Sequence, residues 1–412
     1  MLDDFIDLQA VTKIYNQGKF NEVIALNTIS LRVAQSEMVC VQGPSGSGKT
    51  TLLNIIGCIF APSSGRAMIA GKKISRLPDH FLTRSAAALF LCGGTVRTAI
   101  RILRFWDPEA DTKRQIHLEN ETWLSALLLE YGMALQLISL FILILAADSY
   151  AETLIGAMCA TGAFLANDYG IPLLLVKIIG IFLYGFWIVL HRLDIRCEDL
   201  PLTRIKFCYA LILAPLLLVD LLLLLSYLAQ LQPDIITSCC GVVFGSTAGD
   251  GKNLIGPVPV RLVMAVFCGL AGLLFACALL LLKKKGPTAC LNNKITGLVF
   301  SLLWLLFFLL SLLVITAIIS SYIYQMPFHR CPFDILKKEY NYIGYAIYLP
   351  LFIGTFLGMS TGLTALIATI PTLHQPVRAF QQAALRCTLF LLPLFLVVVS
   401  WFPIAYILRD EL

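Results

Sequence analysis

Seven stretches of this chain, near residues 124–147, 171–191, 207–228, 262–282, 298–323, 345–369 and 386–408, stay apolar for the ~20 residues a helix needs to cross a bilayer. In hydrocarbon every backbone N–H and C=O must find its partner inside the segment, and for runs of this length and leucine content that means a helix. Composition agrees. Mean hydropathy is +0.82, and 14% of the 412 residues are charged, against about a quarter in a soluble domain. Most of the chain is therefore expected to be an α-helical polytopic membrane domain, with the lipid bilayer as its surroundings. A net charge of +6 suits basic loops on a cytoplasmic membrane face better than a nucleic-acid patch, so no nucleic acid is expected as a partner.

An eighth stretch, Leu154 to Ala166, is too short to span. Its small residues, Gly156-Ala157-Met158-Cys159-Ala160-Thr161-Gly162, suit close packing or a re-entrant helix. Loop charges decide its status. With the N-terminus inside, seven spans keep Arg192, Arg196, Arg204, Lys206, Lys283, Lys284, Lys285, Lys294, Arg378 and Arg386 on the cytoplasmic side. An eighth span would move the triple lysine outside. The positive-inside rule thus selects seven spans plus one re-entrant segment near 154–166 for residues 124–412. Against this, Lys252, Arg261, Arg330, Lys337 and Lys338 then fall outside.

Residues 1–84 are of another kind. Met1-Leu2-Asp3-Asp4 is acidic and lacks the form of a secretory signal peptide. Ile6–Val11 alternates like a half-buried strand, Val23–Leu26 is a second short apolar run, and Ile29–Val33 alternates again. Gly43-Pro44-Ser45-Gly46-Ser47-Gly48-Lys49-Thr50-Thr51 then satisfies G-x-x-x-x-G-K-[ST] in full. Met38–Val41 reads as the strand before this loop and Thr51–Ile56 as the helix after it. Such a loop cradles phosphates. Glycines let backbone N–H groups curl round the anion, Lys49 brings a positive charge, the Thr50 hydroxyl can ligate Mg²⁺, and the helix N-terminus adds its dipole. The expected whole is a membrane domain with a small N-terminal α/β P-loop fragment.

The order Val11-Thr12-Lys13-Ile14-Tyr15, then Ala25-Leu26-Asn27-Thr28-Ile29-Ser30-Leu31, then the phosphate loop, resembles the start of an ABC-transporter ATPase. It is most similar to the small ATPases of lipoprotein-release and macrolide-export systems. The resemblance covers residues 1–84. It implies that Tyr15 stacks on adenine and that Pro62-Ser63-Ser64-Gly65 precedes the next strand. It also implies that ATP and Mg are held by Tyr15, Gly43, Ser45, Gly46, Ser47, Gly48, Lys49, Thr50 and Thr51, with Thr50 on the metal. A bacterial inner membrane, a cytoplasmic N-terminus and a complete ABC ATPase or permease as partner follow from the same resemblance.

The rest of that ATPase is harder to find. Past Arg84 the family reaches a glutamine that senses Mg²⁺ and the attacking water, whereas this chain reads Leu89-Phe90-Leu91-Cys92-Gly93. A strand ending in Asp-Glu and a switch histidine are also missing, and without a carboxylate to orient water, phosphoryl transfer loses its positioning chemistry. Leu91–Gly94 with Arg97, Ala99 and Ile100 is one residue short of the family's signature motif and is better read as coincidence. Residues 85–123, with Arg97, Arg101 and Arg104 beside Ile100, Leu103, Phe105 and Trp106, read as a basic amphipathic linker on the membrane face. No catalytic residue is assigned. The expected function is a membrane protein associated with ABC-type transport that carries an ATP-binding P-loop without the remaining ATPase machinery.

A second reading comes from polar residues in the membrane domain. The loop after the 207–228 span carries Cys239 and Cys240, the loop between 323 and 345 carries His329 and Cys331, and Cys159 enters from the same face. Together these could hold a soft metal or form a redox disulfide, which would make the chain a thiol- or metal-handling protein with a passenger ATPase fragment. The spacing is not that of a strong zinc site, and most of the 13 cysteines suit apolar packing. Glu130, Lys177 and Asp220 lie within or near apolar stretches. Lys177 and Asp220 are in consecutive spans, where either a buried pair or snorkelling to an interface is expected.

Overall fold

The computed structural model describes residues 4–15, 23–34, 37, 39, 41–44, 46–56, 62–69, 72–73, 95–106, 113–151, 159–231, 258–283, 291, 293–325 and 331–410. The chain divides into two compact units, Met1–Ala87 and Ala88–Leu412.

The first unit is built on a four-stranded antiparallel sheet in the order β2-β1-β3-β4, from β1 (Asp4–Tyr15), β2 (Val23–Ala34), β3 (Ser64–Ile69) and β4 (Lys72–Lys73). Helix α1 (Lys49–Ile56) covers it, and Leu8, Val11, Leu26, Ile55 and Ala67 form the core. The two short runs expected between 23 and 33 are one strand. Thr28 adopts φ 49°, its N–H donates to Thr12 Oγ1 at 3.0 Å, and the register slips there, so a bulge joins what alternation alone separates. A matching kink at Ala10 (φ 49°) is possible only because Gly65 lies against it. A Cβ at Gly65 would fall 2.2 Å from the Ala10 carbonyl oxygen.

At the described residues of the strand expected at 38–41, no strand is formed. Val39 is 45% exposed, Val39 and Val41 lie outside any strand, and Met38 and Cys40 are outside the described residues. A P-loop strand is ordinarily central in a parallel sheet, buried on both faces. Among the described residues this sheet pairs only antiparallel strands, so no neighbour accepts that ladder.

In the second unit a helix at 95–105 (α2) precedes α3 (Lys113–Ala151), α4 (Ala160–Leu165), α5 (Gly170–Asp194) and α6 (Thr203–Ala229). There follow α7 (Val260–Lys283), α8 (Lys294–Val314), a π-helical turn (Ile315–Ile319), α9 (Ser320–Tyr324), α10 (Ile343–Leu363) and α11 (His374–Asp410). Among the described residues, seven segments are long and apolar enough to cross a membrane, and each overlaps one of the seven stretches read from the sequence. Their outward faces are apolar too: Leu302, Phe390, Val397 and Trp401 are each more than 60% exposed. The eighth stretch is α4, six residues long with Ala160–Phe164 buried, and residues 152–158 are outside the described set.

Two clusters of packed side chains organise this unit. One gathers Ala99, Ile102 and Trp106 with Leu129, Met133, Trp187, Phe207 and Leu217. Helix α2 is thus a packed element of the bundle, with Ile100, Leu103 and Phe105 on its exposed side and Arg101 paired to Glu121 at 2.5 Å. The last part of the segment 85–123 is already α3, which begins at Lys113. The other cluster is centred on Phe267, Trp304, Phe307, Phe308 and Phe395. Here α8 and α10 approach closely through Gly297, Gly358 and Gly362, as small residues allow in helical bundles.

Candidate functional site

In the first unit the phosphate loop leads directly into α1, and its glycines show why they are needed. Gly43, Gly46 and Gly48 have φ of 155°, 82° and 85°, and a Cβ on Gly48 would meet the Ala25 carbonyl oxygen at 2.4 Å. Ser47 N–H bonds the Pro44 carbonyl at 3.3 Å, and Leu52 N–H bonds Gly48 at 2.8 Å, which starts the helix at the loop's exit. Lys49 folds back over the loop. Its Nζ donates to the carbonyls of Gly43 at 2.8 Å and Pro44 at 2.6 Å, with Ser47 Oγ at 3.3 Å. An ammonium at the centre of a curled glycine-rich backbone, ahead of a helix N-terminus, is the arrangement that fits a phosphate chain.

Of the other residues expected here, Ser45 lies outside the described residues. Thr50 and Thr51 open α1, where Thr51 is half-buried and the Thr50 side chain is not described. Tyr15 ends β1 opposite Val23, with its backbone alone described.

A model of the ABC transporter family matches residues 26–123. The N-terminal segment is that of an ABC-transporter ATPase. The match runs well past Arg84, where the resemblance read from the residues ends, through α2 and into the first turns of α3. A macrolide export ATP-binding/permease protein of Hahella chejuensis is 40% identical over 82 residues, 20% of this chain and 12% of that protein. Another macrolide export ATP-binding/permease protein, from Marinobacter nauticus, is 33% identical over 124 residues, 28% of this chain and 19% of its own length. A lipoprotein-releasing system ATP-binding protein of Rhodopseudomonas palustris is 41% identical over 80 residues, 19% of this chain and 35% of that protein. The chain thus spans between about an eighth and a third of the curated relatives it matches. No solved structure matches.

The second unit holds the other polar chemistry. Of the proposed cysteine site, Cys239, Cys240 and His329 lie outside the described residues. Cys331 meets Cys159 instead: both are fully buried, with sulfurs 3.2 Å apart. Asp334 lies alongside and is salt-bridged by Lys337 at 3.2 Å. Lys337 also reaches Asp148 at the end of α3, at 3.2 Å. Burial alone would pull the Lys337 pKa down, but the Asp334 and Asp148 carboxylates outweigh it and push it up to about 12.

The charges within or near the long apolar helices are paired. Lys177 Nζ on α5 lies 2.9 Å from Asp220 Oδ2 on α6 and donates to Ser139 Oγ on α3 at 2.8 Å, with both charged side chains 2% exposed. The pair is buried, not snorkelling. Glu130 accepts from Arg192 at 2.5 Å and lies 3.6 Å from His191 Nε2.

Sequence reasoning missed a second buried pair. Lys206, read as a loop charge, is 2% exposed and binds Asp194 Oδ2 at 2.6 Å. Asp194 Oδ1 also accepts from Leu202 N–H at 2.7 Å, so one carboxylate at the end of α5 organises the start of α6. The signal available was the single acid at a span end with a lysine twelve residues on, indistinguishable by pattern from an ordinary basic loop.

Proposed function

We propose that this chain is a membrane component of an ABC-type transport system whose N-terminal segment binds ATP with Mg without steady hydrolysis. The observation carrying this reading is the loop 43–51, with three glycines at positive φ and Lys49 Nζ held at its centre. In this reading Gly43, Gly46, Gly48 and their neighbours Ser45 and Ser47 offer backbone N–H groups to the phosphates. Lys49 exchanges its carbonyl partners for phosphate oxygens, Thr50 ligates Mg with Thr51 beside it, and Tyr15 stacks on adenine. Bound ATP with Mg would supply charge that orders this segment. The residues of the chain contribute the binding and the positioning.

The reading without hydrolysis rests on the missing Asp-Glu strand end, glutamine and switch histidine. Energy for transport would then come from a complete ABC ATPase acting as partner, with an ABC permease as the other component such a system could contribute. Seven apolar segments with exposed apolar faces, and the family's bacterial relatives, support placement in an inner membrane with the N-terminus in the cytoplasm. The alternative, a thiol- or soft-metal-handling protein with a passenger ATPase fragment, draws support from the Cys159–Cys331 contact alone.

The test is equilibrium binding of a fluorescent non-hydrolysable ATP analogue to the full chain in detergent. Lys49→Ala should remove binding, and the wild type should show no steady phosphate release. Binding that survives Lys49→Ala would overturn the site, and robust turnover by the purified chain would reveal a catalytic carboxylate the reading lacks.

A further inference from the structure

We propose that Cys159 and Cys331 are joined as a disulfide that fastens the α4 segment to the loop preceding α10. Their sulfurs are 3.2 Å apart, closer than even the smaller carbon atoms pack in a core, at about 3.5–4.0 Å. They come from positions 172 residues apart, and neither sulfur is reached by solvent. Cys331 is held in place by groups other than its partner. Thr161 Oγ1 lies 3.3 Å from Cys331 Sγ, and Phe333 N–H points to the same sulfur at 3.4 Å. Tyr324 O–H donates to the Cys331 carbonyl at 2.5 Å and Tyr348 O–H to the Pro332 carbonyl at 2.8 Å, so the loop's backbone is anchored on both sides of the sulfur.

A metal ion is the rival occupant, since Cys159, Cys331 and Asp334 each present a ligand atom within 4.8 Å of the others. One feature favours the disulfide: the Asp334 carboxylate is engaged by Lys337, which is itself tied to Asp148. The bond forms when the two thiols, 3.2 Å apart, close to the ~2.05 Å of a disulfide.

The chemistry balances with one co-reactant, a protein oxidant bearing a disulfide. The thiolate of one cysteine attacks that disulfide to give a mixed disulfide, and the second cysteine displaces the oxidant. Two S–H bonds are lost and one S–S bond forms, while two electrons and two protons leave with the oxidant as its dithiol. Because both sulfurs are fully buried, the exchange belongs to folding, before the loop packs, and the finished bond is shielded from reductants. It requires an oxidising compartment, on the face that the loop-charge argument places outside. The bond would also fix one wall of an apolar cavity of about 280 Å³, since Thr161, Pro332 and Phe333 all line it. The nucleotide reading stands or falls separately.

The experiment uses the full chain in its own membranes. Thiols are trapped with acid and then N-ethylmaleimide in SDS, without reductant, and the protein is digested for mass spectrometry. The expected result is a linked pair of peptides containing Cys159 and Cys331, with neither residue alkylated until the sample is reduced. In Cys159→Ser, Cys331 should become fully alkylated without reduction, and the reciprocal holds for Cys331→Ser. Alkylation of both residues in the unreduced wild type overturns the proposal. So does linkage of either to another cysteine such as Cys239, or stoichiometric zinc in the purified chain that disappears in Cys159→Ser. Labelling of Cys197 in intact cells, measured in parallel, shows whether an inverted topology was the reason for a reduced pair.

Discussion

Lys177→Met is the sharpest perturbation of the helical unit. At an effective dielectric of about 20, charges 2.9 Å apart attract by about 6 kcal/mol. That is a gross figure, because each ion also loses its hydration on burial. The variant keeps the volume of the side chain but leaves Asp220 as a carboxylate 1% exposed, with Oδ1 lacking a hydrogen-bond partner among the described residues. It also removes the donor to Ser139 Oγ. Breaking such a pair costs about 3–5 kcal/mol, most of it from the charge left behind. Lys177→Met/Asp220→Leu removes both ions and should recover to within about 1 kcal/mol of wild type, because apolar replacement of a buried pair is often neutral. The assay is SDS-driven unfolding in detergent micelles, followed by tryptophan fluorescence, to which Trp187, buried on the same helix α5 as Lys177, contributes. A single variant within about 0.5 kcal/mol of wild type, or a double variant as unstable as the single, would show that the ions are hydrated and the burial argument is wrong.

Two further outcomes are expected, beyond loss of nucleotide binding in Lys49→Ala and the Cys159–Cys331 linkage. Gly362→Ala places a Cβ 2.2 Å from Ser301 Oγ and 2.3 Å from the Gly297 carbonyl oxygen. It should destabilise the α8–α10 contact by about 1–3 kcal/mol in the same SDS titration, whereas Gly272→Ala, which faces open space, should leave the midpoint unchanged. A membrane-impermeant maleimide should spare Cys197 in intact cells and label it in broken membranes. Burial, then the nearby Asp194 and Asp199 carboxylates, raise the Cys197 pKa. Less thiolate is therefore present at neutral pH, and labelling should accelerate as pH rises through that raised value. Labelling from outside would invert the topology.

The sequence alone determined the seven long helices, because an apolar run of about twenty residues has few backbone solutions in lipid and needs no distant partner to declare itself. It likewise determined the phosphate loop, whose glycines and lysine act within nine consecutive residues. Local patterns failed where pairing decides. The apolar run at 38–41 looks like a strand, yet a strand exists only if a neighbour accepts its ladder, and the described sheet offers antiparallel partners to other segments. Helix α2 reads as a surface helix because its arginines and exposed aliphatics dominate the pattern, while Ala99, Ile102 and Trp106 pack into the bundle.

Tertiary structure alone decided the partners of the buried charges and of Cys331. Lys177 lies about two turns inside α5 and Lys206 in the first turn of α6, yet each meets a different aspartate, one on the neighbouring helix and one across the α5–α6 connection. Cys331 carries no spacing signal toward Cys159, because 172 residues of chain separate them and only the fold closes that distance.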